Sequence, residues 1–369
     1  MLPEHIKNIP NKAGTTVYAM MSGGVDSSTA AYLLLEAGFN VVGCFITAWQ
    51  PPFLDCSMEG ERQDAMRVAA ELGIDFKTVD LAAEYKTRVV DYMIREYEAG
   101  RTPNPDVMCN GEIKFGAFYE WAKERGADYV ATGHYGQTER AENQVKLLAG
   151  QDEHKDQTYF LWQVPPERLA QTLFPIGHLE KSRVREIARE ADLPVASKKD
   201  SQGLCFLGQV DMATFLKEFI ETKPGDVLSE AGEVIGTHEG SELLTIGQRH
   251  GFIVNDKSPD SGPWYVIEKN VNQNTITVSE DNTEGGATYN AQIITLTDVN
   301  WLADNVVGHH QARIRYNQPL QDCHLEVEED KAIVTFKKSL QAVALGQSCV
   351  VYEGARCLGG GVISQVSRK

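Results

Sequence analysis

No two of the seven cysteines stand as a C-x-x-C pair, which excludes a zinc ribbon. Their odd number in a large chain argues against a disulfide scaffold and for a reducing, cytoplasmic setting. No apolar run is long enough to span a bilayer, and the opening MLPEHIKNIPNKAG lacks the apolar core of a signal peptide. No membrane partner is therefore expected. Cations are also short: 35 basic residues face 52 acidic ones, a net charge of −17. A nonspecific nucleic-acid binder needs clustered cations to neutralise phosphates, so this balance disfavours one unless the cations share a local face. There is no internal repeat and no low-complexity tract.

At 369 residues the chain is too long for one ordinary core, and two or three domains are expected. Strand-like Val17–Met21, Val41–Ile46, Phe76–Val79 and Tyr129–Thr132 alternate with helical stretches from about Asp26 to Gly38, over Glu59–Leu72, over Ala82–Ala99 and over about Asn110–Arg125. This alternation predicts an α/β fold, a doubly wound parallel sheet covered on both faces. Such sheets bind ligands at the carboxyl ends of their strands. After about residue 215 short runs separated by glycine turns take over: Trp264–Glu268, Thr275–Val278, Gln292–Thr297, Ala312–Tyr316, Leu325–Glu328, Ala332–Phe336 and Cys349–Tyr352. The expected layout is a catalytic domain over 1–215, a small central linking domain over 216–283 and a β-barrel over 284–369, with Asn255–Pro263 as a loop.

The stretch S-G-G-V-D-S-S at 22–28 joins a strand to a helix. Its backbone N–H groups and the helix dipole suit an anion, and Ser22, Ser27 and Ser28 add hydroxyl donors. A Walker loop would carry a lysine for a terminal phosphoryl group in transit; none follows here. The loop suits a leaving pyrophosphate better, with Asp26 orienting Mg²⁺ on it. In the plainer reading Asp26 and Ser27 only cap the helix. The order S-G-G-V-D-S resembles the pyrophosphatase loop of ATP enzymes that adenylate a carbonyl oxygen, and Thr132-Gly133-His134 would close the nucleotide site.

An activated carbonyl needs a nucleophile. Cys44, Cys323 and Cys349 fall in strand-like runs and read as core, and Cys357 reads as a strand-end residue; Cys56, on a loop, is a weaker rival. Cys109 follows R-T-P-N-P-D-V-M at the start of a helix expected from Asn110, where a thiolate is stabilised. Cys205 lies in S-K-K-D-S-Q-G-L-C-F-L-G, 197–208, behind Lys198 and Lys199, which would also favour a thiolate. The plainer reading of each is a turn cysteine of no consequence. At 96 residues apart in sequence they can pair only through the fold.

These motifs, with A-T-G-H-Y (131–135), K-D-Q-T-Y-F-L (155–161), F-P-I-G (174–177), T-I-G-Q-R-H-G (245–251) and C-L-G-G-G (357–361), together resemble the bacterial tRNA-specific 2-thiouridylases. The resemblance implies an adenine-nucleotide α-hydrolase-like domain, a central domain and a C-terminal barrel. It also implies replacement of the 2-oxygen of the wobble uridine, in the anticodon region of tRNA, by sulfur. ATP and Mg²⁺ would be used, and a sulfur-relay protein would load a persulfide. Carried over by motif, Cys205 would bear the persulfide, and Cys109 would attack it to release sulfide or close a disulfide. Asp106 would act on the base as acid/base or by orienting it, or would simply form the Asn-Pro-Asp turn. Asn104, Pro105 and Asp106 would surround the base, which must leave its stack. Met20, Met21, Ser22, Gly23, Gly24, Val25, Asp26, Ser27, Ile46 and Gly133 would contact ATP. His134, Lys155, Asp156, Gln157, Arg315, Tyr316 and Gln347 would contact tRNA. Two departures stand out: Ile46 where the family commonly has methionine, and, in A-L-G-Q (344–347), Leu345 before Gly346 where the family often has proline. No protein-bound metal cluster is expected.

The resemblance turns the acidic charge into a constraint. Lys181, Arg183, Arg185, Lys198, Lys199, Arg249, His250, Arg313 and Arg315 are the candidates for a shared basic face. Two other readings remain: an ATP-pyrophosphatase ligase with an amine nucleophile, in which both thiols are idle, and a nucleotide-sensing or RNA-binding module without turnover.

Overall fold

The computed structural model describes all residues except 1, 54–57, 142–143, 201–202, 204, 209, 256–261, 284–285 and 368–369. Cys56, Ser201, Gln202 and Leu204 thus lie outside the described residues, as does most of the 255–263 loop. Among the described residues no helix is long and apolar enough to cross a membrane.

Near-continuous apolar runs make Thr16–Met20 and Asn40–Thr47 the buried centre of a five-stranded parallel sheet. Its order is Asp75–Asp80, Asn40–Thr47, Thr16–Met20, Tyr129–Ala131, Thr172–Leu173. From Thr16–Met20 the chain first winds outward to one side and then returns to build the other. The crevice between the carboxyl ends of Thr16–Met20 and Tyr129–Ala131 is therefore the switch in strand order where such sheets take ligands. Helices Val25–Glu36, Met58–Leu72 and Lys181–Glu190 cover one face through Leu34, Val68 and Ile187. The helical runs 82–98 and 105–124 cover the other through Tyr85, Met93, Ile113 and Phe118.

One boundary differs from expectation in a way that matters. The helix after the proline loop starts at Pro105 rather than Asn110. Asn104 caps it, its Oδ1 accepting from Val107 N at 3.2 Å. Proline in the first turn forfeits no helical hydrogen bond. Cys109 therefore lies in the second turn, and from Cys109 to Ala117 the helix widens into π geometry.

The central unit is a second five-stranded sheet around Val227, Val266, Ile276 and Val278. Its strands Gly225–Leu228, Val234–His238 and Phe252–Val254 were not anticipated. Beyond it, Tyr289–Trp301 pairs with both Lys331–Gln341 and Arg356–Ser367, which closes six strands into the expected barrel. The last strand, carrying C-L-G-G-G, went unrecognised because its glycines mask the alternating pattern. So did the hairpin Gly136–Ala141/Gln144–Ala149, which pairs with that strand through Leu147 and Cys357. This hairpin ties the catalytic unit to the barrel sheet. The strand expected over Ala312–Tyr316 ends at Arg313, leaving Arg315 and Tyr316 in the loop beyond.

Candidate active site

At the crevice, Ser27 Oγ accepts from Ser22 N at 3.1 Å, and Ser28 Oγ donates to Gly24 O at 2.8 Å. Gly23 has φ +70°, and a Cβ there would lie 2.3 Å from Glu61 O. A Cβ on Gly133 would lie 2.6 Å from Ser27 N, so only glycine lets the Thr132–His134 turn close on the loop. The first-turn N–H groups of Val25–Glu36 have no partner within the helix, an arrangement that suits an anion. Met20 and Ile46 are buried in the core on one face of the sheet, and Met21 and Val25 in the core on the other.

The loop lacks a lysine in sequence, yet the fold brings two. Lys198 Nζ donates to Gly23 O at 3.0 Å and lies 2.8 Å from Asp64. Lys181 Nζ lies 2.7 Å from both Asp26 carboxylate oxygens and 2.8 Å from Asp200. Tyr135 Oη donates to Asp26 Oδ1 at 2.8 Å. Asp26 accordingly makes no side-chain cap on its own helix. Against the cost of burial, hydrogen bonds from Lys181 and Lys155 hold the Asp200 carboxyl well below the usual range.

Cys109 and Cys205 meet, with Cys109 Sγ donating to Cys205 Sγ at 3.0 Å. Asp106 Oδ1 accepts from Cys205 N at 3.0 Å, and Tyr85 Oη donates to Cys205 O at 2.7 Å. Burial raises the Asp106 carboxyl, while the Cys205 N–H and Lys114 pull the other way. The expected helix-terminus activation of Cys109 is overturned. The thiol is fully buried in the second helical turn, and burial, then its bond to Cys205, push it well above the ordinary value. Cys205 is the one lowered: the hydrogen bond from Cys109, with help from Lys114, outweighs its burial. Lys198, expected to act on Cys205, is committed to Gly23 and Asp64 instead.

Lys114 was missed. It is half-buried, where Cys205, Cys109 and Asp106 favour its charged form against the cost of burial. It follows Cys109 by five residues, a spacing that an α-helix turns aside and a π-helix brings back toward one face. No feature of the sequence announces that widening. His134 closes the gap between the two ends of the site. Its Nδ1 is 2.7 Å from Thr132 Oγ1, its ring packs 5.9 Å from Phe115, and burial, then Lys114, hold it well below its ordinary value, in the neutral form.

Asn104, Arg315, Tyr316 and Gln347 come together with Tyr159 and the T-I-G-Q turn (245–248) around a cavity of about 480 Å³. Gln347 Nε2 lies 3.0 and 3.1 Å from the carbonyls of Thr102 and Pro103, so the barrel steadies the loop that leads to Cys109. Arg315 donates to Ile246 O and Ala342 O, joining the central unit to the barrel. The K-D-Q motif turns elsewhere. Lys155 pairs with Asp200 at 2.9 Å, and Gln157 Oε1 accepts from Tyr135 N at 2.9 Å. Asp156, expected at tRNA, is buried. Its carboxylate accepts from Gly150 N, Thr158 N and Oγ1, and Arg313 at 2.7 Å, so its oxygens are spent inside the protein.

The expected single basic face also dissolves. Lys181, Arg185 and Lys198 converge on the loop or on Asp200. Arg313 is internal, and Arg183 pairs with Glu186 and Glu190 on its own helix. Lys199, Arg249 and His250 are exposed. Among the described residues no cluster of three His, Cys, Asp or Glu side chains could hold a metal unaided.

Three family models match in order: a tRNA methyl transferase HUP domain over 15–209, a tRNA methyl transferase PRC-barrel domain over 213–280 and an aminomethyltransferase beta-barrel domain over 291–363. The chain is 44% identical over 362 residues, 95% of both chains, to the tRNA-specific 2-thiouridylase MnmA of Bacillus licheniformis. It is 42% identical to the Bacillus subtilis protein of that name over 95% of both chains. Against that of Hahella chejuensis it is 43% identical over 94% of this chain and 96% of the other. A solved U34-tRNA thiolase NcsA from Methanococcus maripaludis shares 17% identity over 52% of this chain and 60% of its own, with a TM-score of 0.35.

Proposed function

The chain belongs to the tRNA-specific 2-thiouridylase MnmA family, and from that membership we propose that it replaces the 2-oxygen of a tRNA wobble uridine with sulfur. The observation that carries this reading is the 3.0 Å meeting of Cys109 and Cys205 beside a pyrophosphate-type loop. Neither a methyl transfer nor an amine ligation has a use for two facing thiols.

In this reading the Ser22–Ser27 loop binds ATP, and the uridine 2-oxygen attacks its α-phosphorus, expelling pyrophosphate. Lys181 and Lys198 stand where charge on the departing pyrophosphate accumulates. Asp26 and Asp200 fit the usual way Mg²⁺ is held, by one or two carboxylates with phosphate oxygens supplying the rest. Bound there, the ion would neutralise the leaving group. Cys205 takes a sulfane sulfur from a persulfide-bearing donor protein. Cys109 then attacks the inner sulfur, giving a Cys109–Cys205 disulfide and hydrosulfide, with the Cys109 proton passing to solvent. Hydrosulfide adds to C2 and AMP departs with the former oxygen. A dithiol reductant returns the two thiols.

Asp106 serves first by fixing the Cys205 backbone, and Asn104-Pro105-Asp106 border the place for the extruded base. The 480 Å³ cavity, with Arg315, Tyr316 and Gln347, takes the adjoining tRNA. The reaction belongs to the cytoplasm, where tRNA and reduced thiols occur together. The test is nucleoside mass spectrometry of tRNA incubated with the protein, ATP, Mg²⁺ and a persulfide donor. 2-Thiouridine that appears only when all four are present is the expected result; its absence would end the proposal.

A further inference from the structure

The backbone of Cys205 is gripped at both ends. Its N–H donates to Asp106 Oδ1 at 3.0 Å, and its carbonyl accepts from Tyr85 Oη at 2.7 Å. One bond fixes the peptide before Cys205 and the other the peptide after it, so together they set where the side chain points. The next residue, Phe206, has φ +64°, a left-handed backbone that a residue with a side chain adopts only at a cost. Its ring stands edge-on to Tyr85, centroids 5.6 Å apart at 87°, and its carbonyl accepts from Gln50 Nε2. A strained turn persists only where its surroundings over-determine it. Here Asp106 from the 105–124 helix, Tyr85 from the 82–98 helix and Gln50 from the loop after Asn40–Thr47 do so.

We propose that Tyr85 is a positioning residue of sulfur transfer: its hydroxyl and ring hold the strained Cys205–Phe206 turn so that the Cys205 sulfur stays within reach of Cys109. The inference rests on the thiolation reading and deepens it. Tyr85 acts through the Cys205 backbone and takes no proton. Its side chain is buried, and burial pushes the hydroxyl up, so it keeps its proton and goes on donating across the working pH range. What the turn delivers is the 3.0 Å approach of the two sulfurs. Two thiols held in that geometry meet at a high effective concentration, and loosening the turn dilutes it. Attack of Cys109 on the inner sulfur of a loaded Cys205 needs the same approach.

The test is the equilibrium between the Cys109–Cys205 dithiol and its disulfide in mixtures of oxidised and reduced dithiothreitol, read by peptide mass spectrometry on the full chain without ATP or tRNA. Each disulfide formed in the protein converts one oxidised dithiothreitol to its dithiol. Tyr85→Phe removes the hydroxyl and keeps the ring. It is expected to lower the equilibrium constant for disulfide formation about fivefold, the worth of one hydrogen bond. In tRNA thiolation it should lower kcat by a similar factor and leave KM for ATP unchanged, a split that general loosening of the fold would not produce. Gln50→Leu, which takes the donor from the Phe206 carbonyl, is the second variant if Tyr85→Phe fails to fold, with a shift in the same direction expected. An equilibrium constant equal to the parent's in a folded variant overturns the proposal. Because this readout needs no tRNA, its failure is separable from that of the proposed function. A lowered constant in a chain that makes no 2-thiouridine retires the function and leaves the grip of Tyr85 on the thiol pair standing, whereas an unchanged one in a chain that thiolates tRNA retires Tyr85 alone.

Discussion

The barrel and the α/β crevice each place cysteines close together, and the two surroundings drive them to opposite states. In the barrel, Cys323 and Cys349 share one apolar core. Burial pushes Cys323 up to about 12 and Cys349 well above its ordinary value. In the crevice Cys205 is lowered, although it too is largely removed from water. The difference lies in the neighbours: Cys109 donates to the Cys205 sulfur and the Lys114 charge favours its thiolate, and among the described residues no hydrogen-bond donor is seen at the barrel thiols. Burial by itself silences a thiol; a buried donor beside it reverses the sign.

The sharpest break would come from serine substitutions. Cys109→Ser and Cys205→Ser should each lower 2-thiouridine formation by about three orders of magnitude or more. Cys323→Ala in the barrel should leave the rate nearly unchanged and cost about 1 kcal/mol in denaturant melts. Activity surviving at either crevice position would erase the contrast. A second comparison sets charges used for stability against charges kept for chemistry. Arg313 and Asp156 form a buried pair at the seam between the catalytic unit and the barrel. Arg313→Met leaves the carboxylate without its cation and should destabilise by about 3 kcal/mol, read by urea unfolding. Lys181→Met, at the more open end, should change stability little and instead raise the ATP concentration needed for turnover.

A lysine outside both regions shows burial acting without an opposing anion in contact. Lys269 donates to Leu244 O, and burial lowers it to about 8. Between pH 8 and its ordinary value near 10.5 the unfolded chain binds more protons than the folded one. Stability contributed at this site should therefore rise with pH across that window, by up to about 2 kcal/mol. Melting curves of the parent and Lys269→Met, compared at both ends of the window, should diverge accordingly. The smallest effect is expected at Lys198, whose bond to Gly23 O supports the loop: Lys198→Ala should raise KM for ATP about fivefold. A salt-sensitive loss of tRNA affinity in its place would return Lys198 to the RNA surface.

Much of the fold was legible because apolar runs and helical spacing are local properties. The strands at Val17–Met21 and Val41–Ile46 and the helix over Glu59–Leu72 emerged within two residues of their expected ends. The missed pieces were local signals overridden by contacts. The 136–149 hairpin is polar along much of its length and is held by the barrel's last strand. The Pro105 start depends on Asn104 capping rather than on hydrophobic period. At the site, Cys109, Cys205 and the serine-glycine loop could be singled out because their neighbours in sequence are unusual. Lys114 could not, since E-I-K-F is an ordinary helical stretch until the helix widens. Asp156 misled for the reverse reason: its motif stands out, but its carboxylate is spent on Gly150, Thr158 and Arg313.

Sequence by itself determined the alternating α/β architecture and the barrel, and it singled out the serine-glycine loop and the two thiols as candidates, because each depends on residue type and near-neighbour spacing. Tertiary structure decided which thiol is lowered and which raised, which lysines reach the loop, and which charges are left facing solvent. Those outcomes depend on distances of a few ångströms between residues tens to hundreds of positions apart, where electrostatic energy changes steeply and sequence spacing says nothing.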